Sequence, residues 1–563
     1  MPCAATDADG VLKEAMETGR TRLLIMGTVL TLAFGCVAAR LVDLTMLRPA
    51  QEPRTAATAA KGVIETERAE IVDRRGVVLA TGLATASLYA NPSRVLDPDE
   101  TARLIATVLP NENPAKLAKL LRRKSTFVWL RRKLTPDQQW QINQLGQPGL
   151  DFLREEARVY PHGELMAHVL GMTDIDNQGT AGIERSFDRR LRGHKAPLAL
   201  TLDARVQHVV RDALNAAIKK HEAIGGVGIV LDIRNGEVAS LVSLPDFDNN
   251  HPGSASKDQI RNRATLGTYE LGSTFKIFTT AMALDAGVVT LSGGYDATKP
   301  IKISRFTIRD YHAKRRWLSV PEIFMYSSNI GAAKMAIDVG GETQRAYLGR
   351  LGLMTPSPIE LPEVGAPQLP KVWRPVNTMT ISYGHGIAVS PLQLTSAVAA
   401  ILNDGVYHAP TLIKRATPDR TNDIRVISKS TSHTMRRLLR LVVDQGTGRR
   451  AAATGYLVGG KTGTSEKQSG RGYNRRSLIS SFVGAFPMNK PRYVVLALLD
   501  EPKGTKDTHG YATGGWVAAP IVRRIIERAG PTLGVMPVDE KTPAIHSDLA
   551  INLTKEGPTL ASY

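Results

Sequence analysis

The sequence predicts an α/β (α+β) chain in which helices sandwich an antiparallel sheet, preceded by a mixed module and one transmembrane helix. Three observations carry that expectation. Leu23 to Ala39 is apolar and free of charge, the short end of a bilayer-crossing helix. A helix–strand–strand pattern from Asp203 to Val242 and a strand–strand–helix pattern from Ser480 to Glu527 bracket a helical middle. Between about Lys61 and Lys195 short strands alternate with amphipathic helices.

Taken in order, residues 1–22 are polar and end in Arg20 and Arg22, which fits a cytoplasmic segment. Residues 23–47 are expected to be the transmembrane anchor, with Leu41, Val42, Leu44 and Leu47 extending it past a snorkelling Arg40. A cleaved signal peptide fits less well, because Ala33-Phe34-Gly35 only loosely matches a small-x-small site. A lipoprotein signal would use Cys36, but bulky Phe34 precedes it. Residues 48–61 are rich in Pro, Ala and Thr and read as a linker.

From Lys61 to about Lys195 no nucleophile-plus-base pair appears, so this part reads as a non-catalytic module. Ile71 to Leu79 gives strand, turn, strand, and Thr101–Leu109 and Pro136–Leu145 are surface helices. Thr135 is the expected N-cap of the second, with Pro136 in its first turn. A further domain follows. It opens with a helix from Asp203 to Glu222, then strands Val227–Leu231 and Val238–Val242 around the hairpin signal Asn235-Gly236. Strands Ser480–Ala485 and Tyr493–Leu499 and a helix Val517–Glu527 complete it, and the polar tail 534–563 is expected to be disordered.

The 563 residues carry a net charge of +19, which suits an anionic surface or polymer. The basic runs Arg122-Arg123-Lys124, Arg131-Arg132-Lys133 and Lys314-Arg315-Arg316 are scattered and accompany no nucleic-acid motif, so solvated surface accounts for them. The only cysteines, Cys3 and Cys36, precede residue 40, which leaves no disulfide framework or thiolate metal site beyond them. The histidines lack metal-ligand spacing, and neither a metal nor a cofactor is expected.

The chemistry gathers around Glu270-Leu271-Gly272-Ser273-Thr274-Phe275-Lys276 and the apolar run that follows. Gly272 allows a tight turn, and Ser273 and Lys276 then share one face at a helix start. The positive helix end favours charge developing on the serine oxygen, and burial lowers the pKa of an adjacent lysine. A Ser-x-x-Lys arises about twice by chance in a chain this long, and Ser254-Ala255-Ser256-Lys257 is such a decoy in a polar stretch. Two ordered companions distinguish Ser273: Ser327-Ser328-Asn329 after an apolar run, and Lys461-Thr462-Gly463-Thr464 on an expected strand.

Each part suits acyl transfer. Ser273 attacks a carbonyl with Lys276 as base, while Lys461 nearby makes protonating both amines costly. Ser327 relays a proton to the leaving amine, and Asn329 bonds Lys276 and a substrate amide. The 461–464 strand pairs with an extended peptide, and Gly463 leaves room for its approach. The hydroxyls of Thr462 and Thr464 suit a carboxylate, and the N–H groups of Ser273 and Thr464 form an oxyanion hole.

These three motifs in this order resemble the penicillin-binding proteins and serine β-lactamases. The chain is more closely similar to class B penicillin-binding proteins, over roughly residues 62–530. Ala69-Glu70-Ile71-Val72-Asp73-Arg74-Arg75-Gly76, Arg158-Val159-Tyr160-Pro161, Ala167-His168-Val169-Leu170-Gly171, Gly182-Ile183-Glu184, Arg261-Asn262-Arg263-Ala264 and Gly446-Thr447-Gly448 add to the likeness. The resemblance implies the penicillin-binding transpeptidase fold and a serine D,D-transpeptidase that cross-links peptidoglycan stem peptides outside the inner membrane. It implies an elongated pedestal over residues 62–197, a transpeptidase domain over residues 198–533 and acylation of Ser273 by β-lactams. Asn329, with Gly472-Tyr473 and Phe482-Val483-Gly484, resembles the septal branch, which implies division proteins and a membrane glycosyltransferase as partners. Leu271 replaces a frequent proline, and Glu466 replaces a frequent arginine that would add positive charge near an anionic ligand.

Three other readings compete. A class A β-lactamase needs a Glu-x-x-Leu-Asn segment, which does not occur between Asn329 and Lys461. A D,D-carboxypeptidase would use the same motifs with water as acceptor. A catalytically idle scaffold is disfavoured by intact Ser273, Lys276, Asn329 and Lys461.

Overall fold

The structure, a computed structural model, describes residues 8–42, 68–303, 306–417, 423–469, 472–540 and 542–551. The expected linker 48–61 lies outside the described residues, as do 1–7, 43–47 and 552–563. The chain divides into two compact units, Met1–Glu65 and Thr66–Tyr563.

The first unit contains one helix, α1 (Ala8–Val42), among its described residues. Its stretch Arg20–Arg40 is long and apolar enough to cross a membrane. Thr28 and Thr31 donate their hydroxyls to the carbonyls of Leu24 and Gly27, so these two hydroxyls are satisfied within the helix.

The second unit begins with a five-stranded sheet. Its spine is β2 (Val78–Ala90), antiparallel to β4 (Leu150–Val159) along one edge. The other edge of β2 pairs with β1 (Ile71–Val72) and then β3 (Val128–Leu134). β1 runs parallel to β5 (Leu198–Ala199), the strand that returns the chain toward the larger sheet. Helices α2 (Pro98–Val108), α3 (Pro114–Leu121) and α4 (Pro136–Gln144) cover it, around Leu88, Ile105, Leu117, Leu134 and Ile142. Each starts with a capping side chain and a proline: Asp97, Asn113 and Thr135, the last in a capping box with Gln138. At the base of this module Glu184 is buried between Arg68 and Arg158, at 2.6 and 2.7 Å.

The larger sheet has the order β8-β9-β10-β6-β7, antiparallel throughout: β6 (Gly225–Asp232), β7 (Val238–Leu244), β8 (Gly459–Ser469), β9 (Gly472–Phe486) and β10 (Tyr493–Asp500). Alternation along the strands builds two cores. Val227, Ile229, Val494 and Leu496 face α6 (Lys276–Asp285), α9 (Pro391–Leu402) and α10 (Lys429–Asp444). Val230, Val495, Ala497 and Leu499 face α5 (Ala204–His221) and α11 (Ala519–Ala529). Between α6 and α9, α7 (Val320–Tyr326) leads into α8 (Asn329–Val339).

The tail differs from expectation. Instead of being disordered from 534, it forms α12 (Pro543–Leu549) and packs through Ile551. Leu549 is buried, Arg437 on α10 donates to the Ala550 carbonyl, and His433 pairs with Asp548. A few apolar residues spaced along a polar segment suffice when a preformed helix receives them.

Candidate active site

Gly272 has φ +58°, which opens a short 3₁₀ turn, Gly272–Phe275, leading into α6. That turn presents Ser273 while Phe275, Ile277 and Phe278 anchor α6 in the core. A Cβ at Gly272 would meet the Thr464 carbonyl oxygen at 2.5 Å, so the turn lies directly against edge strand β8. Two further contacts clamp it: Ser465 Oγ donates to the Glu270 carbonyl, and Gly386 N–H donates to the Glu270 carboxylate at 2.9 Å.

Five expected residues converge. Lys276 Nζ lies 2.8 Å from Ser273 Oγ, 3.2 Å from Ser327 Oγ and 2.7 Å from Asn329 Oδ1. Lys461 Nζ reaches Ser327 Oγ from β8 at 2.9 Å. Ser327 caps the C-terminus of α7 in a left-handed conformation, φ +61°, which turns its hydroxyl between the two amines. Asn329 begins α8, and its Nδ2 donates to the Arg309 carbonyl at 2.9 Å.

Both lysines are buried, 1% and 0% exposed. Burial and, next, the charge of Lys461 push the Lys276 pKa far below the usual lysine range, opposed by Asp310. Burial alone brings Lys461 down to about 7. At neutral pH the amine touching Ser273 is therefore able to accept a proton.

The expected substrate-binding residues divide by strand face. Lys461, Gly463 and Ser465 face the serine turn, whereas Thr462 and Thr464 project from the other face. Thr462 Oγ1 pairs with Thr447 Oγ1 at 2.9 Å, and Thr464 Oγ1 accepts the Gly514 N–H at 3.0 Å. Gly463 is glycine for a different reason from the one expected. A Cβ there would meet Ser481 Oγ at 2.4 Å and the Leu271 carbonyl at 2.6 Å, so it makes room for the serine turn rather than for an incoming peptide.

Sequence reasoning missed Arg309 and Asp310, which hold the Ser328-Asn329 turn, and Tyr383, whose ring lies 5.8 Å from Lys276 Nζ. One signal pointed to Asp310: it is the only acidic residue between Asp296 and Glu322, in an otherwise basic stretch. The decoy remains apart, with Ser254 bonded to the His251 carbonyl and Ser256 capping a short helix.

Comparison with known proteins matches residues 226–527 to the penicillin binding protein transpeptidase domain and residues 63–214 to the penicillin-binding protein dimerisation domain. A probable peptidoglycan D,D-transpeptidase FtsI from Caulobacter vibrioides is 41% identical, covering 84% of this chain and 83% of that protein. The probable peptidoglycan D,D-transpeptidase PenA of Neisseria gonorrhoeae is 32% identical, over 95% of this chain and 96% of its own. Penicillin binding protein 3 from Mycobacterium tuberculosis, solved with aztreonam, superposes with a TM-score of 0.67 at 26% identity, covering 84% of this chain and 98% of its own. A transpeptidase domain preceded by a dimerisation domain, with relatives of this identity across most of its length, makes the chain a member of the class B penicillin-binding proteins.

Proposed function

We propose that this chain is a peptidoglycan D,D-transpeptidase of the septal type, with Ser273 as nucleophile and residues 198–533 as its catalytic domain. The observation that carries it is a serine hydroxyl 2.8 Å from a buried lysine whose protonation is suppressed by burial and by a second buried lysine.

Lys276 takes the proton as Ser273 Oγ bonds to the carbonyl carbon of the penultimate D-alanine in a donor stem peptide. The N–H groups of Ser273 and Thr464 receive the oxyanion. The C–N bond then breaks, Ser327 passes a proton to the departing D-alanine amine, and Lys461 holds Ser327 in place. An amine from a second stem peptide attacks the acyl-enzyme through the reverse relay, forming the cross-link and restoring Ser273. The 461–464 edge aligns the donor chain by strand pairing. A β-lactam enters the same first step, and its ring nitrogen is the group expelled.

Residues 23–47 serve as a retained anchor, with the pedestal 62–197 and the catalytic domain on the extracytoplasmic side of the inner membrane. Division proteins and a membrane glycosyltransferase are the expected partners. Fluorescent penicillin should label the wild type and not Ser273→Ala; labelling of that variant moves the nucleophile elsewhere. Depletion should produce filaments, whereas round cells assign the chain to elongation.

A further inference from the structure

Asp310 lies on the loop that follows strand Phe306–Ile308, upstream of Ser327 and outside each of the three catalytic motifs. One carboxylate oxygen accepts the backbone N–H groups of Asn329 at 2.6 Å and Ile330 at 3.0 Å. The other accepts the Ser328 hydroxyl at 2.7 Å. Its neighbour Arg309 supplies the carbonyl that takes the Asn329 side-chain N–H. Two consecutive loop residues thus hold both the main chain and the side chain of Asn329, whose Oδ1 receives Lys276 Nζ.

A carboxylate at a helix start is ordinarily a stability device. Here that place is already filled, because Ser328 caps α8 through the Gly331 N–H at 3.0 Å. Asp310 is an additional acceptor brought in from another loop, and it also opposes the loss of charge at Lys276. The groups facing Lys276 are Ser273 on its own turn, Ser327 and Asn329 from the α7–α8 junction, Lys461 from β8 and the Tyr383 ring.

We propose that Asp310 is a positioning residue for acylation: through the Ser328 hydroxyl and the Asn329 and Ile330 N–H groups it fixes the Ser327–Asn329 turn against Lys276. The proposal rests on the acyl-transfer reading above. An error of about 1 Å in such a turn costs on the order of 100-fold in rate.

The experiment measures penicillin acylation by the full-length protein, separating the acylation rate constant from initial binding, over pH 5 to 9. Wild type, Ser273→Ala, Asp310→Ala and Asp310→Asn are compared, with thermal melting of each. Asp310→Ala should acylate about 10- to 100-fold more slowly with unchanged initial binding. Asp310→Asn keeps an acceptor and loses the charge, so its rate should recover most of the deficit. Its acid limb should move to lower pH, because Lys276 then becomes harder to protonate. Wild-type acylation in Asp310→Ala overturns the proposal. So does a loss that follows the fall in melting temperature, with the acid limb of Asp310→Asn unmoved. A wild type unlabelled at Ser273 overturns the functional reading instead.

Discussion

In the N-terminal module Glu184 sits between the guanidinium groups of Arg68 and Arg158, and Asp188 closes the cluster 2.8 Å from Arg68. Around Ser273, in the catalytic domain, two buried amines face two hydroxyls and an amide, and among the described residues no carboxylate is hydrogen-bonded to either amine. Both clusters take lysine or arginine out of water, with opposite results. Paired with carboxylates, the charges persist and tie distant segments together. Without a contacting counter-ion the amines discharge, and a discharged amine is a base. Buried charge in this molecule is structural where it is matched and chemical where it is not.

The contrast breaks most visibly at Lys276. Lys276→Met should reduce penicillin acylation by about 10²- to 10⁴-fold while leaving a folded protein, as read by stopped-flow labelling and circular dichroism. A stability loss comparable to that of a paired charge would erase the distinction. The next largest effect belongs to the other cluster. Glu184→Ala leaves two guanidiniums buried without their partner and should destabilise the protein by about 3–5 kcal/mol in denaturant titration. The fraction that remains folded should acylate normally.

Lys461 sharpens the comparison through pH. Its folded pKa of about 7 lies below that of an unfolded lysine, so the unfolded chain binds the extra proton in between. Stability contributed at this site therefore rises as pH increases from about 7 toward 10. Lys461→Met should flatten that slope and raise stability by about 0.5–2 kcal/mol near pH 7, while acylation is lost. The smallest effect is reserved for the decoy. Ser254→Ala removes one exposed hydroxyl and should leave acylation unchanged and stability within about 0.5 kcal/mol.

Legibility from sequence followed the range of the interactions. Thr135 with Pro136 and the Asn235-Gly236 hairpin are local signals, and each element formed within a few residues of its expected bounds. The catalytic motifs were legible because their residue types and order are chemically restrictive, not because their contacts were. Asp310, Arg309 and Tyr383 reach the site through tertiary folding, across separations that no period reveals. α12 was missed for the same reason, since its apolar residues acquire meaning only against α10. Gly463 was recognised as a point of close approach, but which face is approached depends on the register of β8 beside the serine turn.

That close approach also bears on heredity. A side chain gained at Gly463 collides with backbone as well as with Ser481, and one at Gly272 meets both a carbonyl and an unfavourable φ. A lineage under an acylating drug has no graded path through these two positions, because the first step already dislodges the nucleophile. Adaptive change is channelled to exposed positions, of which Tyr311, 76% exposed, is one. Serial passage under a penicillin should accumulate substitutions there, and a resistant line carrying alanine at either glycine would refute it.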